Sequence, residues 1–258
     1  MDNYPYIDIH NHVFTAINNN SVSICSFFVQ GYEYSENQDN IYFTVGLHPW
    51  HVDNVNLPQI LPKIEEIAKL ASCIGIGEIG LDRVASASFE KQLAAFEAQV
   101  IQAKKLALPV IIHNVRCLQE IQQVLKQAKF DLPVVFHGFT GKIEMAKQIL
   151  SFGNSYLSFG KSILVNKDNK ILNLLPLDRI FFETDESELG LGKSALVNKD
   201  GNMSNLLASN SFSIKANESQ IAIEEIYNVA ALLLNKPVEI LKQRIYNNFI
   251  TVFNKYNA

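Results

Sequence analysis

The stretch LPVIIHNVRCLQEIQQVLKQAKFDLPVVFH, residues 108–137, encodes a strand, a helix and a second strand in succession. Each predicted strand, 109–113 and 133–137, is an apolar run that begins at a proline and ends at a histidine. Between them, residues 118–129 space their apolar side chains along one face of a helix. Two strands joined in this way predict a βαβ unit of a parallel sheet.

The same alternation of strand and helix extends along most of the chain. Eight runs predict strands, at 6–10, 22–29, 41–47, 73–79, 109–113, 133–137, 155–159 and 179–184. Helical patterns occur at 57–70, 88–107, 118–129, 142–152, 220–234 and 237–255. Eight strands in series within 258 residues predict a single α/β domain, residues 1–258, folded as a (β/α)8 TIM-like barrel. An open doubly wound sheet is the alternative.

The composition is that of an ordinary globular protein. With 48% apolar and 19% charged residues, it excludes a disordered chain, a collagen and a disulfide scaffold. The net charge of −4 provides no global positive field, so any contact with nucleic acid must be local. No apolar run has the length of a signal peptide or a membrane span, so we expect a cytoplasmic protein with no membrane contact. No obligate protein partner is evident.

The three cysteines are odd in number and have no CxxC spacing. Cys25, Cys73 and Cys117 each lie in or beside an apolar run. Buried, reduced thiols are therefore expected at these positions rather than metal ligands or a nucleophile.

The chain contains a tandem duplication. Residues 155–187 and 187–219 align without gaps, and 15 of the 33 pairs are identical. The first copy keeps an apolar run, 180–182, followed shortly by Asp185, whereas the second has lost the run and has Asn217 in place of the aspartate. We therefore predict that residues 155–186 belong to the barrel and that the degenerate copy, 187–218, is an insertion after strand eight.

Histidines and carboxylates occur at the carboxyl ends of the predicted strands. These ends form the active-site face of a parallel barrel. Two histidines two residues apart on an extended strand point to the same side, and each candidate alone also fits a rim or core position. Together they match a hydrolytic centre of two metal ions, which lowers the pKa of a bridging water from about 15.7 towards 7. The candidate ligands are His10, His12, Glu78, His113, His137 and Asp185.

The ordered set of motifs resembles the TatD-like metal-dependent hydrolases of the amidohydrolase superfamily. The resemblance implies a TIM-like barrel that hydrolyses phosphodiesters, as a DNase or 3′–5′ exonuclease. It rests on DIHNH at 8–12, GLHP at 46–49, GEIGLD at 77–82, LPVIIH at 108–113, HGFTG at 137–141, YLSFG at 156–160, ETD at 183–185, Asn248 and Phe253.

The resemblance also divides the candidate ligands between two divalent ions. One ion would be held by the pair His10 and His12 together with Asp185, which would also orient or deprotonate the attacking water. The other would be held by His113 and His137. Glu78 would bridge the two ions. Imidazole-rich ligation favours zinc or manganese, and magnesium could be accommodated.

Four further residues are candidates for substrate contact. His48, before Pro49, is either a substrate or outer contact or a turn histidine. Trp50 could stack on a base, a contact that contributes about 1 to 3 kcal/mol, or pack in the core or at the rim. Arg116 and Arg83 could each clamp a phosphate through paired hydrogen bonds.

The predicted function is cleavage of DNA phosphodiesters, in single strands or at ends, by hydroxide that bridges two ions. Because such a site generates hydroxide whatever the electrophile, hydrolysis of a small amide, ester or lactone is the alternative. After ETD the chain also lacks the proline and the arginine, glycine and asparagine segment that usually line the family's cleft. If the insertion blocks the barrel mouth, the protein is instead a metal-binding scaffold without turnover.

Overall fold

The computed structural model describes residues 4–12, 20–29, 42–165, 170–185 and 222–253. Within them, eight strands form one parallel sheet whose spatial order is the order of the chain. The predicted parallel barrel is thereby confirmed. The strands are β1 (Tyr6–Asn11), β2 (Ser21–Phe28), β3 (Tyr42–Gly46), β4 (Cys73–Asp82), β5 (Val110–Val115), β6 (Val134–Phe136), β7 (Ser155–Phe159) and β8 (Ile180–Phe182).

Helices connect the strands and cover the outside of the barrel. In the described ranges they are α1 (Leu57–Ile67), α2 (Phe89–Leu106), α3 (Leu118–Gln127), α4 (Ile143–Leu150), α5 (Ser162–Val165), α6 (Ile223–Leu234) and α7 (Val238–Val252). Short 3-10 helices occupy Pro49–Asn54, Lys170–Leu174 and Leu177–Arg179. Over the same ranges, no helix combines the length and the apolar character that crossing a bilayer requires.

Most predicted helices are too long by one to three residues at an end, because capping residues carry the helical pattern without being helical. At α2, Ser88 accepts a hydrogen bond from the Lys91 backbone N–H as an N-cap. Ala107 ends the same helix in the left-handed conformation, at φ 55°. The predicted helix 88–107 is therefore α2 together with its two caps.

The strand boundaries differ most at β4. The prediction ended this strand at residue 79, but the structure continues it through Asp82, with all ten residues buried. Residues Gly80 to Asp82 pair with β5, so the glycine is part of the ladder rather than of a turn. At β6 and β8 the predicted strands were too long, by two and three residues, because Pro133 and Arg179 precede the strands and the polar residues at their carboxyl ends follow them without extending them.

The buried core consists of the strand side chains and the inner faces of the helices. The three cysteines are buried and not joined in a disulfide, as predicted. Near the end of the chain, the Asn248 side chain on α7 donates to the backbone oxygens of Leu177 and Ile180, both at 2.9 Å. Phe253 is fully buried directly after α7. The last helix therefore secures the start of β8.

The barrel is nearly closed between its first and last strands. In the described residues β8 and β1 share no ladder, but Asp185 donates its backbone N–H to the His10 oxygen at 3.0 Å. The hydroxyl of Tyr227 on α6 donates to the Ile7 oxygen at 3.2 Å and accepts from the Ile7 N–H at 3.1 Å. The Asp185 hydrogen bond therefore joins the two ends of the sheet where a ladder is absent, and Tyr227 holds β1 against α6.

The first copy of the duplicated segment contributes both β7 and β8. The second copy, residues 187–218, lies outside the described residues. The insertion therefore stays a prediction.

Candidate metal centre at the carboxyl ends of the strands

Glu78 on β4 lies at the centre of the candidate ligands. Its Oε1 is 2.6 Å from His113 Nδ1 and 2.6 Å from His137 Nε2. Its Oε2 lies 3.4 Å from His10 Nε2 and 3.6 Å from His12 Nε2. One carboxylate oxygen thus faces each pair of imidazoles, which is the arrangement that a carboxylate bridging two cations requires.

Asp185 lies three residues after the end of β8 and faces His10 and His12. Its Oδ1 is 3.7 Å from His10 Nε2 and 3.5 Å from His12 Nε2. Its side chain is 48% exposed, whereas that of His10 is fully buried. The structure therefore brings all six sequence-predicted ligands together, with Asp185 on the solvent side of the cluster.

Two glycines of β4 allow this approach. A Cβ at Gly77 would lie 2.8 Å from the Cβ of Ile111. At Gly80, where φ is +145°, a Cβ would lie 2.0 Å from the backbone oxygen of His113. Only glycine lets β4 lie this close to β5 at both positions, and this closeness places Glu78 beside His113.

The outer nitrogens of three of the imidazoles have partners of their own. Ser26 on β2 serves two of them: its Oγ is 2.7 Å from His10 Nδ1, and its backbone oxygen is 3.2 Å from His12 Nδ1. Asp82 Oδ2 is 3.1 Å from His113 Nε2. Because a carbonyl or ionised carboxylate only accepts, the contacts of His12 and His113 place the ring proton on the outer nitrogen and turn a lone pair towards the centre, and the Ser26 hydroxyl, which can accept, permits the same arrangement at His10.

The donor set fits divalent cations. His10 Nε2 is buried and has no hydrogen-bond partner in the described part of the chain, although it points towards Glu78. An orphaned buried acceptor is costly unless something coordinates it. Nitrogen and oxygen atoms within 4.8 Å of one another form the groups His10–His12–Asp185, His10–Glu78–His137 and His48–Glu78–His113. Imidazole nitrogens with carboxylate oxygens are the ligands of catalytic zinc and related ions.

His48 lies beside this cluster and also caps the turn that follows it. Its Nε2 is 3.2 Å from Glu78 Oε1 and 3.4 Å from His113 Nδ1. Its Nδ1 accepts from the Trp50 backbone N–H at 3.2 Å and caps the 3-10 helix Pro49–Asn54. Since a backbone N–H can only donate, the His48 ring proton is on Nε2, and His48 donates to Glu78 instead of offering it a lone pair.

Trp50 supports the cluster from outside. Its indole Nε1 donates to Asp82 Oδ2 at 2.7 Å, the same oxygen that contacts His113. Its ring lies 5.8 Å from that of His113, centroid to centroid, in an edge-to-face arrangement. The side chain is therefore engaged with the partner of a candidate ligand.

The two arginines are not brought into the cluster by any contact among the described residues. Arg83 forms an ion pair with Glu120, and its guanidinium carbon lies 4.5 Å above the Phe89 ring. Arg83 Nε also donates to the backbone oxygen of Arg116 at 3.4 Å. Arg116 is exposed directly after β5, in a left-handed conformation with φ 58°.

A family model described as TatD related DNase matches residues 8–254. The chain belongs to this TatD-related family. It is 36% identical over 158 residues to the 3′–5′ ssDNA/RNA exonuclease TatD of Rahnella sp. (strain Y9602), covering 58% of this chain and 59% of that protein. It is 33% identical over 159 residues to the uncharacterized metal-dependent hydrolase YabD of Bacillus subtilis (strain 168), covering 59% of this chain and 61% of YabD.

These alignments span about three fifths of the length of the curated relatives. A solved structure is matched over more of the chain. The crystal structure of YjjV, a TatD homologue from Escherichia coli K12, aligns with a TM-score of 0.74 at 22% identity, covering 96% of this chain and 98% of that one. This likeness shows that the TatD-related barrel is the fold of the whole described chain.

Opposite charges in this TatD-related site stabilise each other's ionised forms. Burial alone would raise the pKa of Glu78, but the imidazoles of His137 and His48 outweigh it and hold that pKa well below its ordinary value. Burial likewise disfavours the charged form of His137, yet Glu78 keeps the His137 pKa well above its ordinary value. For Asp185, the hydrogen bond with His12 overcomes burial and lowers the pKa to about 2. Both carboxylates are therefore ionised at neutral pH.

Sequence reasoning missed the outer residues of the site. Ser26 lies in an apolar strand and has no motif to indicate its role, whereas Asp82 ends an apolar run just as Asp185 follows one. Glu183 was also missed. It is fully buried, its Oε1 accepts from the Gly138 N–H at 2.6 Å, and the same oxygen lies 3.7 Å from His137 Nδ1. The useful signal for both acids was a carboxylate next to a buried strand.

Proposed function

We propose that this protein is a metal-dependent hydrolase that cleaves phosphodiester bonds of DNA, acting on single strands or ends in the 3′–5′ direction. The observation that carries the proposal is the Glu78 carboxylate, which turns one oxygen to each pair of imidazoles. Membership of the TatD-related DNase family and the name of the Rahnella relative support DNA as the substrate class.

The six clustered side chains would hold two divalent ions. His10, His12 and Asp185 would bind one of them. His113 and His137 would bind the other, with Glu78 between the two. Such ions polarise a phosphoryl oxygen and lower the pKa of a bound water towards 7, which is the chemistry that phosphodiester hydrolysis needs. The imidazole-rich ligand set favours zinc or manganese, while a hydrated magnesium ion can also be accommodated.

Asp185 would orient the attacking water. Its half-exposed carboxylate is the member of the cluster nearest to solvent. Its hydrogen bond with His12 lowers its pKa, so it is an ionised acceptor at neutral pH. An ionised carboxylate at hydrogen-bonding distance can align a water or take its proton.

Two residues are suited to the phosphate. His48 carries a donor on Nε2 beside Glu78, and this N–H can pass to a substrate oxygen. Arg116 is exposed after β5 and has no ion-pair partner among the described residues, so its guanidinium is available for a phosphate. Arg83 would first have to leave Glu120, and Trp50 is bound to Asp82. For Arg83 and Trp50 we therefore propose supporting roles rather than direct contact with DNA.

The proposal is tested with end-labelled single-stranded DNA incubated with the protein and Mn²⁺, with and without a chelator. We expect metal-dependent shortening from the 3′ end. Glu78→Ala should lower the rate at least about 1000-fold, because both ion positions lose a ligand. The matched control is Glu65→Ala, which removes a partly exposed carboxylate that pairs with Lys69 and Lys105.

Other outcomes would replace the proposal. Hydrolysis of a generic ester or lactone without any DNA cleavage would indicate a small-molecule hydrolase. Two bound equivalents of Mn²⁺ with no turnover of either substrate class would indicate a metal-binding scaffold.

A further inference from the structure

The gap between β8 and β1 separates ligands of the same proposed ion. His10 and His12 lie on the β1 side, and Asp185 lies on the β8 side. Within the described residues the other neighbouring strands are joined by parallel ladders, but β8 and β1 are not. The spacing of these ligands must therefore be set by something other than sheet register.

Asp8 on β1 spans this gap with its side chain. Its Oδ1 accepts from the Thr184 backbone N–H at 2.9 Å, and its Oδ2 accepts from the Thr184 hydroxyl at 2.7 Å. Oδ2 also accepts from Asn11 Nδ2 at 3.3 Å. Asp8 is 3% exposed and Thr184 is 6% exposed. Three donors satisfy a carboxylate that would otherwise be costly to bury.

The two bonds to Thr184 fix the residue that precedes Asp185. The first holds the backbone of Thr184 and the second holds its side-chain rotamer. Asp185 itself has φ 49°, a conformation that residues other than glycine adopt infrequently and that the surrounding structure must maintain. Its own N–H donates across the gap to the His10 oxygen.

We propose that Asp8 is a positioning residue of the metal centre: through Thr184 it fixes the Asp185 carboxylate relative to His10 and His12. This inference rests on the proposed metal-binding function and deepens it. Because the Asp8 carboxylate bonds to Thr184 and Asn11, its effect would be transmitted through the position of a ligand. Outer partners of this kind commonly change metal affinity 10-fold to 100-fold when they are removed.

A purely structural role in closing the barrel is the competing explanation, and Tyr227 offers a matched control. Its hydroxyl makes two hydrogen bonds to Ile7, one residue before Asp8, and its ring packs against Phe182 of β8. Tyr227→Phe removes both bonds without altering any contact of the six candidate ligands. A variant that only weakens the closure of the barrel should therefore behave like Tyr227→Phe.

The experiment measures Mn²⁺ binding to the metal-free full chain by electron paramagnetic resonance of the free ion, together with thermal unfolding. Thr184→Val is nearly isosteric and removes the hydroxyl that Asp8 binds. We expect it to weaken one of two bound equivalents about 10-fold. Thr184→Ser, which keeps the hydroxyl, should bind within about 2-fold of the wild type. Tyr227→Phe should lower the melting temperature and leave both affinities unchanged.

The proposal is overturned if Thr184→Val binds Mn²⁺ as the wild type does, or if Thr184→Ser fails to restore binding. It is also overturned if Tyr227→Phe weakens binding in proportion to its loss of stability. A wild-type protein that binds no Mn²⁺ would overturn it together with the metal centre. If the wild type binds Mn²⁺ and the variants behave as expected, but the wild type does not cleave DNA, the result supports this inference and counts against the nuclease function alone.

Discussion

Asp82 shows how one carboxylate can orient a candidate ligand from outside the cluster. Its Oδ2 accepts from His113 Nε2 and from the Trp50 indole, and its Oδ1 accepts from the backbone N–H groups of Val84 and Ala85. Burial would raise the pKa of Asp82, but the hydrogen bonds from His113 and Trp50 outweigh it and hold this pKa well below its usual range. The charged acceptor fixes the ring so that Nδ1 faces Glu78.

Replacement of Asp82 by asparagine should therefore weaken the binding of the proposed ion at His113 and His137. We expect about a 10-fold to 100-fold loss of affinity, because the amide can turn its NH2 group to His113 and no longer favours one ring tautomer. Isothermal titration of the metal-free protein with Mn²⁺ measures the change. Asp53→Asn is the control, since Asp53 pairs with Lys91 and the Ser88 N–H away from the cluster. Equal effects of both variants would contradict this role.

At the scale of elements, β4 decides the geometry of the site. Its pairing with β5 aligns Gly80 with His113 and Asp82 with Val115. Glu78, Gly80 and Asp82 of this one strand therefore all contribute to the geometry of the site. The sequence identified the strand through its apolar run and identified Glu78 through its charge. It did not identify Asp82 as a site residue, because the nearby glycine, Gly80, is typical of a turn. Only the pairing with β5 shows that both residues belong to the strand.

Gly80→Ala should disrupt this pairing. The added Cβ would meet the His113 backbone oxygen at 2.0 Å, in a conformation with φ +145° that alanine disfavours. We expect a loss of about 2 to 4 kcal/mol of unfolding free energy, measured by urea denaturation, and weaker Mn²⁺ binding. Gly153→Ala is the control: its φ is +56° and nothing lies within 4 Å of the added Cβ, so it should cost about 1 kcal/mol and leave binding unchanged. Similar losses in both would refute the steric argument.

At the scale of the molecule, local sequence patterns predicted the barrel, whereas the outer partners of the ligands depend on contacts between strands. Apolar runs that end in histidine or carboxylate are visible in the sequence, which is why the six candidate ligands, at the ends of five strands, were found. The partners Ser26 and Asp8 had no such signal. Their roles depend on which residues face each other between β1 and β2, and between β1 and the end of β8, and this spacing is fixed only when the barrel closes.

The duplication makes a prediction about the whole molecule. The first copy already contains β7 and β8, so all eight strands exist without residues 187–218. Deleting 187–218 should give a soluble protein with a wild-type circular dichroism spectrum and two bound equivalents of Mn²⁺.

The matched control deletes the first copy, residues 155–186, which has the same length. The second copy would then have to form both β7 and β8, but it has serine at 213, inside the run that must be buried, and Asn217 in place of Asp185. We expect this variant to be insoluble or to lose metal binding, because a polar side chain in the strand and a missing carboxylate act together. Insolubility of the 187–218 deletion, with the point variants soluble, would show instead that the second copy is part of the fold.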